Sequence, residues 1–263
     1  MIRAFHAAAS GMRAQQKSID LISNNIANVN TNGFKASRAA FKDLIYSDME
    51  IRRIGELPNL QVGNGVRVGA TMRFLIQGTP VQTGRTLDAS ITGDGFFAVA
   101  GEDGTLRYTR DGGFNLSVVD TEAGRVNRLV TTDGLFVLNS DGSPVEFASG
   151  IDISTIRIAL DGTITASNVD GEAVSAGRLS VVGFVNPSGL AAEGDNLFVE
   201  TPASGEGVAV EEPEVRQGFI EASNVDLADE MTRLIMAQRA YQLSARVLQT
   251  ADDMESMANN LRR

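Results

Sequence analysis

The chain is 263 residues long, 43% apolar and carries a formal net charge of −10. That apolar share excludes a disordered chain and can bury a sizeable core, and the length suits one large domain or two small ones. The acidic balance argues against nucleic acid or an anionic membrane surface as the main partner. There is no cysteine, so neither a disulfide framework nor a thiolate metal site is available. No apolar run approaches the roughly 18 residues of a membrane span, and the first residues lack the continuous apolar core of a secretory signal. Composition alone therefore places the chain in the cytoplasm.

In chain order, Phe5, Met12, Ile19 and Ile26 fall seven residues apart, with Ala8, Ile22 and Val29 three residues behind most of them. This spacing predicts an amphipathic helix from near Ile2 to near Val29 whose apolar seam needs a partner. Gly11 inside it costs about 1 kcal/mol relative to Ala. The run NNIANVNTNGFK, Asn24 to Lys35, then ends the helix, because Asn and Gly tolerate positive φ and Asn and Thr side chains bond nearby backbone. Asn25, Asn28, Thr31, Gly33 and Phe34 are the candidates that set the register of this exit. Ala39, Phe41, Leu44 and Ile45 continue the apolar pattern as a short helix or an extended segment. Val62, Val66 and Val68, set among glycines, read as strand fragments.

Residues 70–220 read as all-β. The runs Gly95 to Val99, Leu135 to Leu138, Ile156 to Leu160 and Leu179 to Val185 are separated by turn signals, and Asp-Gly occurs seven times, at Asp94, Asp103, Asp111, Asp133, Asp141, Asp161 and Asp170. Asp-Gly suits a type I′ turn, so the repetition predicts a hairpin-rich body. Pro202 to Pro213 reads as a mobile or returning connection.

At the C-terminus Leu227, Met231, Leu234, Tyr241, Ala245 and Leu248 follow alternating three and four spacing, and the seam then steps by three to Ala251 and runs on through Met254, Ala258 and Leu261. Asp226, Asp229 and Glu230 complement the dipole of the first turn, with Asn224 or Asp226 as the N-cap. Met231, Met236, Met254 and Met257 suit packing at an adaptable interface. Residues 1 to 53 carry eight basic and four acidic side chains against five and seven in 221 to 263, which favours pairing of the two arms. The expected fold is mainly β with long terminal α-helices, the helices pairing in a coiled-coil-like axial domain. The expected segments are 1–45, a connection at 46–69, the β domain at 70–220 and the C-terminal helix at 221–263.

Chemistry is sparse. His6 lacks companions for catalysis or metal binding, and no nucleophile-elbow, P-loop or zinc-protease pattern occurs. The Asp-Gly pairs lack the spaced ligands and closing Glu of a calcium loop. The expectation is no catalytic, cofactor or metal site. Interface residues are expected instead at Phe5, Met12, Ile19, Ile22, Asn25, Ile26, Asn28, Val29, Thr31, Gly33 and Phe34, and at Leu227, Met231, Leu234, Tyr241, Leu248, Met254 and Leu261.

NNIANVNTNGFK and the C-terminal SNVDLADEMTRLIMAQRAYQ, Ser223 to Gln242, resemble the signatures of the bacterial flagellar rod and hook axial family. DGTLRYTRDGGF, Asp103 to Phe114, is similar to that family's core hairpin. The resemblance implies a structural subunit that polymerises into a helical tube and transmits torque from motor to hook. It implies as partners other copies, the proximal rod, the hook or its junction, the outer ring bushing and the flagellar type III export apparatus, with no nucleic acid and no membrane span. It also implies a place in the rod crossing the periplasm, reached without a cleaved signal peptide, in contrast to the composition. LQVGNGVRV, Leu60 to Val68, and AQRAYQ, Ala237 to Gln242, are most similar to the distal-rod branch, with a proximal-rod paralogue as the alternative and a somewhat short connection at 46–60. The reading from a different class is a soluble β-rich binding protein or glycan-acting enzyme.

Overall fold

The computed structural model describes residues 2–48, 61–121, 124–148, 151–167 and 173–260. They divide into two compact units. One holds the terminal helices with residues 37–74, and the other holds residues 28–36 and 75–225.

In the first unit, helix α1 spans Ile2–Ala27 and helix α2 spans Leu227–Asn260. α1 ends two residues before the expected Val29, where Asn28 starts the turn. α2 begins after Asp226, whose carboxylate accepts from Ala228 N at 2.9 Å and Asp229 N at 3.2 Å. Asp226 is therefore the N-cap, and Asn224 is used elsewhere. The helices run antiparallel: Gly11 lies beside Ser244, and Asn25 meets Glu230. Residues 39–43, left open between helix and extended chain, are extended. Strand Ser37–Asp43 pairs antiparallel with Val66–Arg73, with a bulge between Ala40 and Phe41. Gly65 allows the close approach that follows: its φ is +107°, and an added Cβ would lie 2.1 Å from Ser10 Oγ. Ser10 Oγ in turn accepts from Val66 N at 3.2 Å, tying this strand to α1. The rest of the expected connection, 49–60, lies outside the described residues.

In the second unit a ten-stranded antiparallel sheet carries two apolar clusters. Strand Phe96–Ala100 shows why. Alternate side chains point to opposite faces, so Phe97 and Val99 join the main core with Phe114, Leu129, Ile164 and Val215, while Phe96 and Ala98 join Tyr108, Val182 and Phe198. A strand buried on both faces must be apolar throughout, which is the continuous FFAVA run. Phe96–Ala100 forms a hairpin with Leu106–Thr109, so Asp103 to Phe114 supplies the turn and second strand of this hairpin. Thr163–Ser167 is the centre of a smaller three-stranded sheet.

The Asp-Gly turns are not type I′. Around Gly101–Thr105, Thr131–Leu135, Asn139–Ser143 and Ala159–Thr163, the first residue donates its N–H to the fifth residue's carbonyl and accepts from the glycine at the fourth. Each glycine is left-handed, with φ from 72° to 84°, and none of these aspartates has positive φ. This is a type I turn closed by an αL glycine. Asp103 and Asp161 hold it by accepting the N–H two residues on, an option that keeps Asp at negative φ. Hydrogen bonds from the Thr105 side chain, the Thr105 backbone and Arg107 pull the exposed Asp103 carboxyl down to about 2, and those from the Thr163 backbone and side chain pull Asp161 below the usual carboxylate range. The type I′ pair is Asp195–Asn196, with φ of 48° and 57°. Gly112 has no positive φ and is glycine for a different reason, since an added Cβ would stand 1.6 Å from the Ala89 carbonyl oxygen, and Asp170 lies outside the described residues. Within Pro202 to Pro213 the chain is seated, not loose: Val208–Ala209 pairs with Val181–Gly183, and Ser204 is buried.

Candidate assembly interface

Two sets of residues carry the signals singled out in the sequence, one in each unit. In the helical unit the face α2 turns to α1 is a row seven residues apart, Glu230, Ala237, Ser244 and Ala251, of which all but the half-buried Ser244 are buried. Facing them on α1, Ala8, Ala14, Ile22 and Asn25 are buried. Small residues let the two backbones approach closely. Asn25 is fully buried; its amide donates to Ser37 O at 2.9 Å and to Glu230 Oε2 at 3.2 Å, and accepts from Ser37 N at 2.9 Å. It thus joins both helices and the first strand. Arg38 reaches Asp229 at 3.3 Å and stacks over Phe74 at 4.7 Å. A groove of about 320 Å³ lies beside this junction, lined by Leu21, Ile22, Phe41, Met236 and Ala240 with the Arg38 and Arg233 side chains.

The residues of the expected seam divide between inward and exposed positions. Phe5, Met12, Ile19 and Ile26 are half-buried and Ile22 buried, so the α1 seam faces inward. On α2, Leu234 and Leu248 are half-buried, whereas Leu227, Met231, Tyr241 and Met254 are 44%, 53%, 37% and 49% exposed. Leu261 lies outside the described residues. The large apolar side chains of α2 flank the contact with α1 and do not fill it, because the row of small residues already occupies the space between the helices. The periodic signal was visible in the sequence, but it marked a flank.

In the β unit the loop after α1 is built around Glu221. The Glu221 carbonyl accepts from Gly33 N at 2.8 Å. Its carboxylate accepts from Lys35 Nζ at 2.5 Å and Gly78 N at 2.8 Å through one oxygen, and from Arg110 Nη1 at 3.1 Å through the other. Lys35 also donates to Ile76 O at 2.9 Å, and Arg110 to Gly93 O at 2.7 Å. All three charged side chains are at most 3% exposed. Burial pushes the Lys35 ammonium below the ordinary lysine value, and Glu221 pulls against it. Gly33 has the expected positive φ, 66°, and an added Cβ would stand 2.8 Å from Asp111 N. Thr31 Oγ1 donates to Asn28 Oδ1, Asn196 caps the Asn32 carbonyl, and Asn224 donates its N–H to Phe34 O while accepting from Ala36 N. Val29 and Phe34 are half-buried here. The loop expected to belong with the N-terminal arm is thus packed in the β unit. Sequence reasoning missed Lys35, Arg110 and Glu221 as a cluster; the two ion pairs span 186 and 111 residues, and although Lys35 closes NNIANVNTNGFK and Arg110 lies in DGTLRYTRDGGF, nothing local joins either to Glu221.

Three family descriptions match in chain order: "Flagella basal body rod protein" over residues 5–35, "Flagellar hook protein FlgE/F/G D1 domain" over 90–166, and "Flagellar basal body rod FlgEFG protein C-terminal" over 216–261. The flagellar basal-body rod protein FlgG of Borreliella burgdorferi is 40% identical, with both chains covered completely. The chain belongs to the flagellar basal-body rod family. It is accordingly a structural protein and not an enzyme. FlgG of Bacillus subtilis is 36% identical, again over the whole of both chains, and the flagellar hook-basal body complex protein FlhP of the same organism is 34% identical. The two terminal matches of this rod-family chain cover α1 from residue 5 with its loop, and α2 with the preceding strand, so Lys35 and Glu221 each fall inside a family segment. No described helix is long and apolar enough to cross a membrane.

Proposed function

We propose that this chain is a subunit of the distal flagellar rod, polymerising head-to-tail into a helical tube that transmits torque from motor to hook. The single observation that carries this reading is the surface of α2. With α1 already in place, Met231, Ile235, Met236, Leu243, Val247 and Met254 are each about half exposed or more. An apolar surface of that extent on a helix that already has its partner calls for neighbours, and a heterologous contact that does not close builds an open filament. The α1–α2 pair is the coiled-coil-like axial element of that tube, and the interface positions are those named on both helices. Asn25, Asn28, Thr31, Gly33 and Phe34 fix how the chain leaves α1. The partners are other copies, the proximal rod, the hook or its junction, the ring bushing and the type III export apparatus, and the site is the rod crossing the periplasm, reached without a cleaved signal. Limited proteolysis tests the reading: the α2 end is cleaved in free subunits and protected in isolated basal bodies. A monomer with equally protected ends would sink it.

A further inference from the structure

The two helices differ in length, and the excess lies at one end. Gly11 of α1 lies beside Ser244 of α2, so Ile2, nine residues earlier on α1, falls level with Asp253, while α2 runs on to Asn260. α2 therefore overhangs α1 by seven residues, about 10 Å at about 1.5 Å per residue. Every residue from Asp252 to Asn260 is exposed, and two helical turns with nothing to pack against are marginal on their own. The overhang is nonetheless patterned for packing. Ala258 extends the row of Glu230, Ala237, Ser244 and Ala251 by one heptad. Met254 and Met257, 49% and 57% exposed, lie beside it, and the acidic residues of this end, Asp252, Asp253 and Glu255, fall outside that stripe. The face that packs against α1 thus continues past the point where α1 stops.

Towards the other end of the same helical unit lies the groove of about 320 Å³, with Leu21, Ile22, Phe41, Met236 and Ala240 in its walls. Its volume is about twice that of an apolar cavity that takes up benzene. Arg38 and Arg233 at its rim both turn to Asp229, and Glu230 is bonded by Asn25, so the groove favours apolar side chains over an ion. We infer that the overhanging end of α2 in one copy seats Met254 and Met257 in this groove of the next copy. This rests on the rod reading above and names the two surfaces that meet. A second copy is the occupant because both surfaces are continuous with the α1–α2 contact. Ala240 flanks that contact at the groove, Ala258 prolongs it beyond α1, and Met236, Leu243, Val247 and Met254 join the two along one flank of α2. The chain cannot close the contact on itself, since Met236 and Met254 stand eighteen residues apart on one helix, about 27 Å. Joining unlike ends of identical chains always leaves a groove and an overhang unfilled, so the contact propagates. Methionine suits it, because a flexible thioether fills irregular apolar space.

The test exploits the absence of cysteine. Chains carrying Met257→Cys with Phe41→Cys, and separately Met254→Cys with Met236→Cys, replace the producing bacterium's own copy. All four side chains are exposed, so secretion and helical circular dichroism should match the unaltered chain. Mild oxidation of isolated basal bodies should link each pair into a ladder of dimers and higher multimers that reductant dissolves, because a disulfide needs Cα atoms within about 7 Å. Met257→Cys with Met231→Cys, whose second site lies on the other flank of α2 with Leu234 and Tyr241, should leave monomer. Should a pair block assembly, mixed rods built with the unaltered chain are oxidised instead, and the same contact is read as dimer. Rods with no cross-link from either groove pair, or with an equal one from the Met231 pair, overturn the docking and leave the rod reading standing. Failure of the unaltered chain, reintroduced in the same way, to build any rod overturns both.

Discussion

At the scale of single residues, Glu221 is the most constrained position, since one carboxylate serves two buried cations and a backbone N–H. Removing one member of a buried ionic cluster costs about 3 to 5 kcal/mol because the remainder is left unpaired. Glu221→Gln strands Lys35 and Arg110 together, whereas Lys35→Met leaves Glu221 still paired with Arg110. Chemical denaturation of the β unit should rank the glutamine variant as clearly less stable than the methionine variant; the reverse order would mean that Arg110 carries little of the carboxylate's charge. The lowered Lys35 pKa has its own sign. In the window between that lowered value and the ordinary 10.5, the unfolded chain binds a proton that the folded chain does not. The Lys35 contribution to stability should therefore rise with pH there, and the slope should vanish in Lys35→Met. Gly33→Val must be worse than Gly33→Ala, since both set a side chain at a left-handed φ with its Cβ against Asp111 N and valine adds two methyl groups to that clash. Both should lose more than about 1 kcal/mol.

At the scale of elements, the helix pair is organised by what is small. Ala237 is 6% exposed in the row that faces α1, so Ala237→Leu should force the helices apart and destabilise their pairing by about 1 to 3 kcal/mol, read as a lower melting temperature in helical circular dichroism. Removing the cap with Asp226→Ala should cost only about 1 kcal/mol. The α2 periodicity was legible from Leu227 onward, yet its meaning was not. Spacing identifies an apolar stripe without saying whether the chain itself or a neighbour covers it. The Asp-Gly turns were legible in the same partial way. Their positions were visible, but the turn type depends on the φ of the aspartate, and the carboxylate's bond to the N–H two residues on tips it towards type I.

For the whole molecule, exposed and inward apolar surface should separate in experiment. Leu243→Asp changes a side chain that is 61% exposed, so the free chain should keep its helix content and stability while rods fail to form. If free-subunit stability fell as much as with Ala237→Leu, Leu243 would be an internal packing residue and its exposure would have no bearing on assembly.

The order of elements, a β body between two long amphipathic helices, follows from the sequence alone, because hydrophobic period and turn chemistry are local properties. So does the family resemblance, which rests on contiguous motifs at the two ends. Tertiary structure alone decided that the row of Glu230, Ala237, Ser244 and Ala251, and not a large apolar one, lies inward on α2, and that the loop of NNIANVNTNGFK is packed in the β unit. It also brought Lys35, Arg110 and Glu221 to one buried point. Each of those outcomes depends on the cost of leaving a charge or a bulky side chain without a place, and that cost is set by residues far away in the chain.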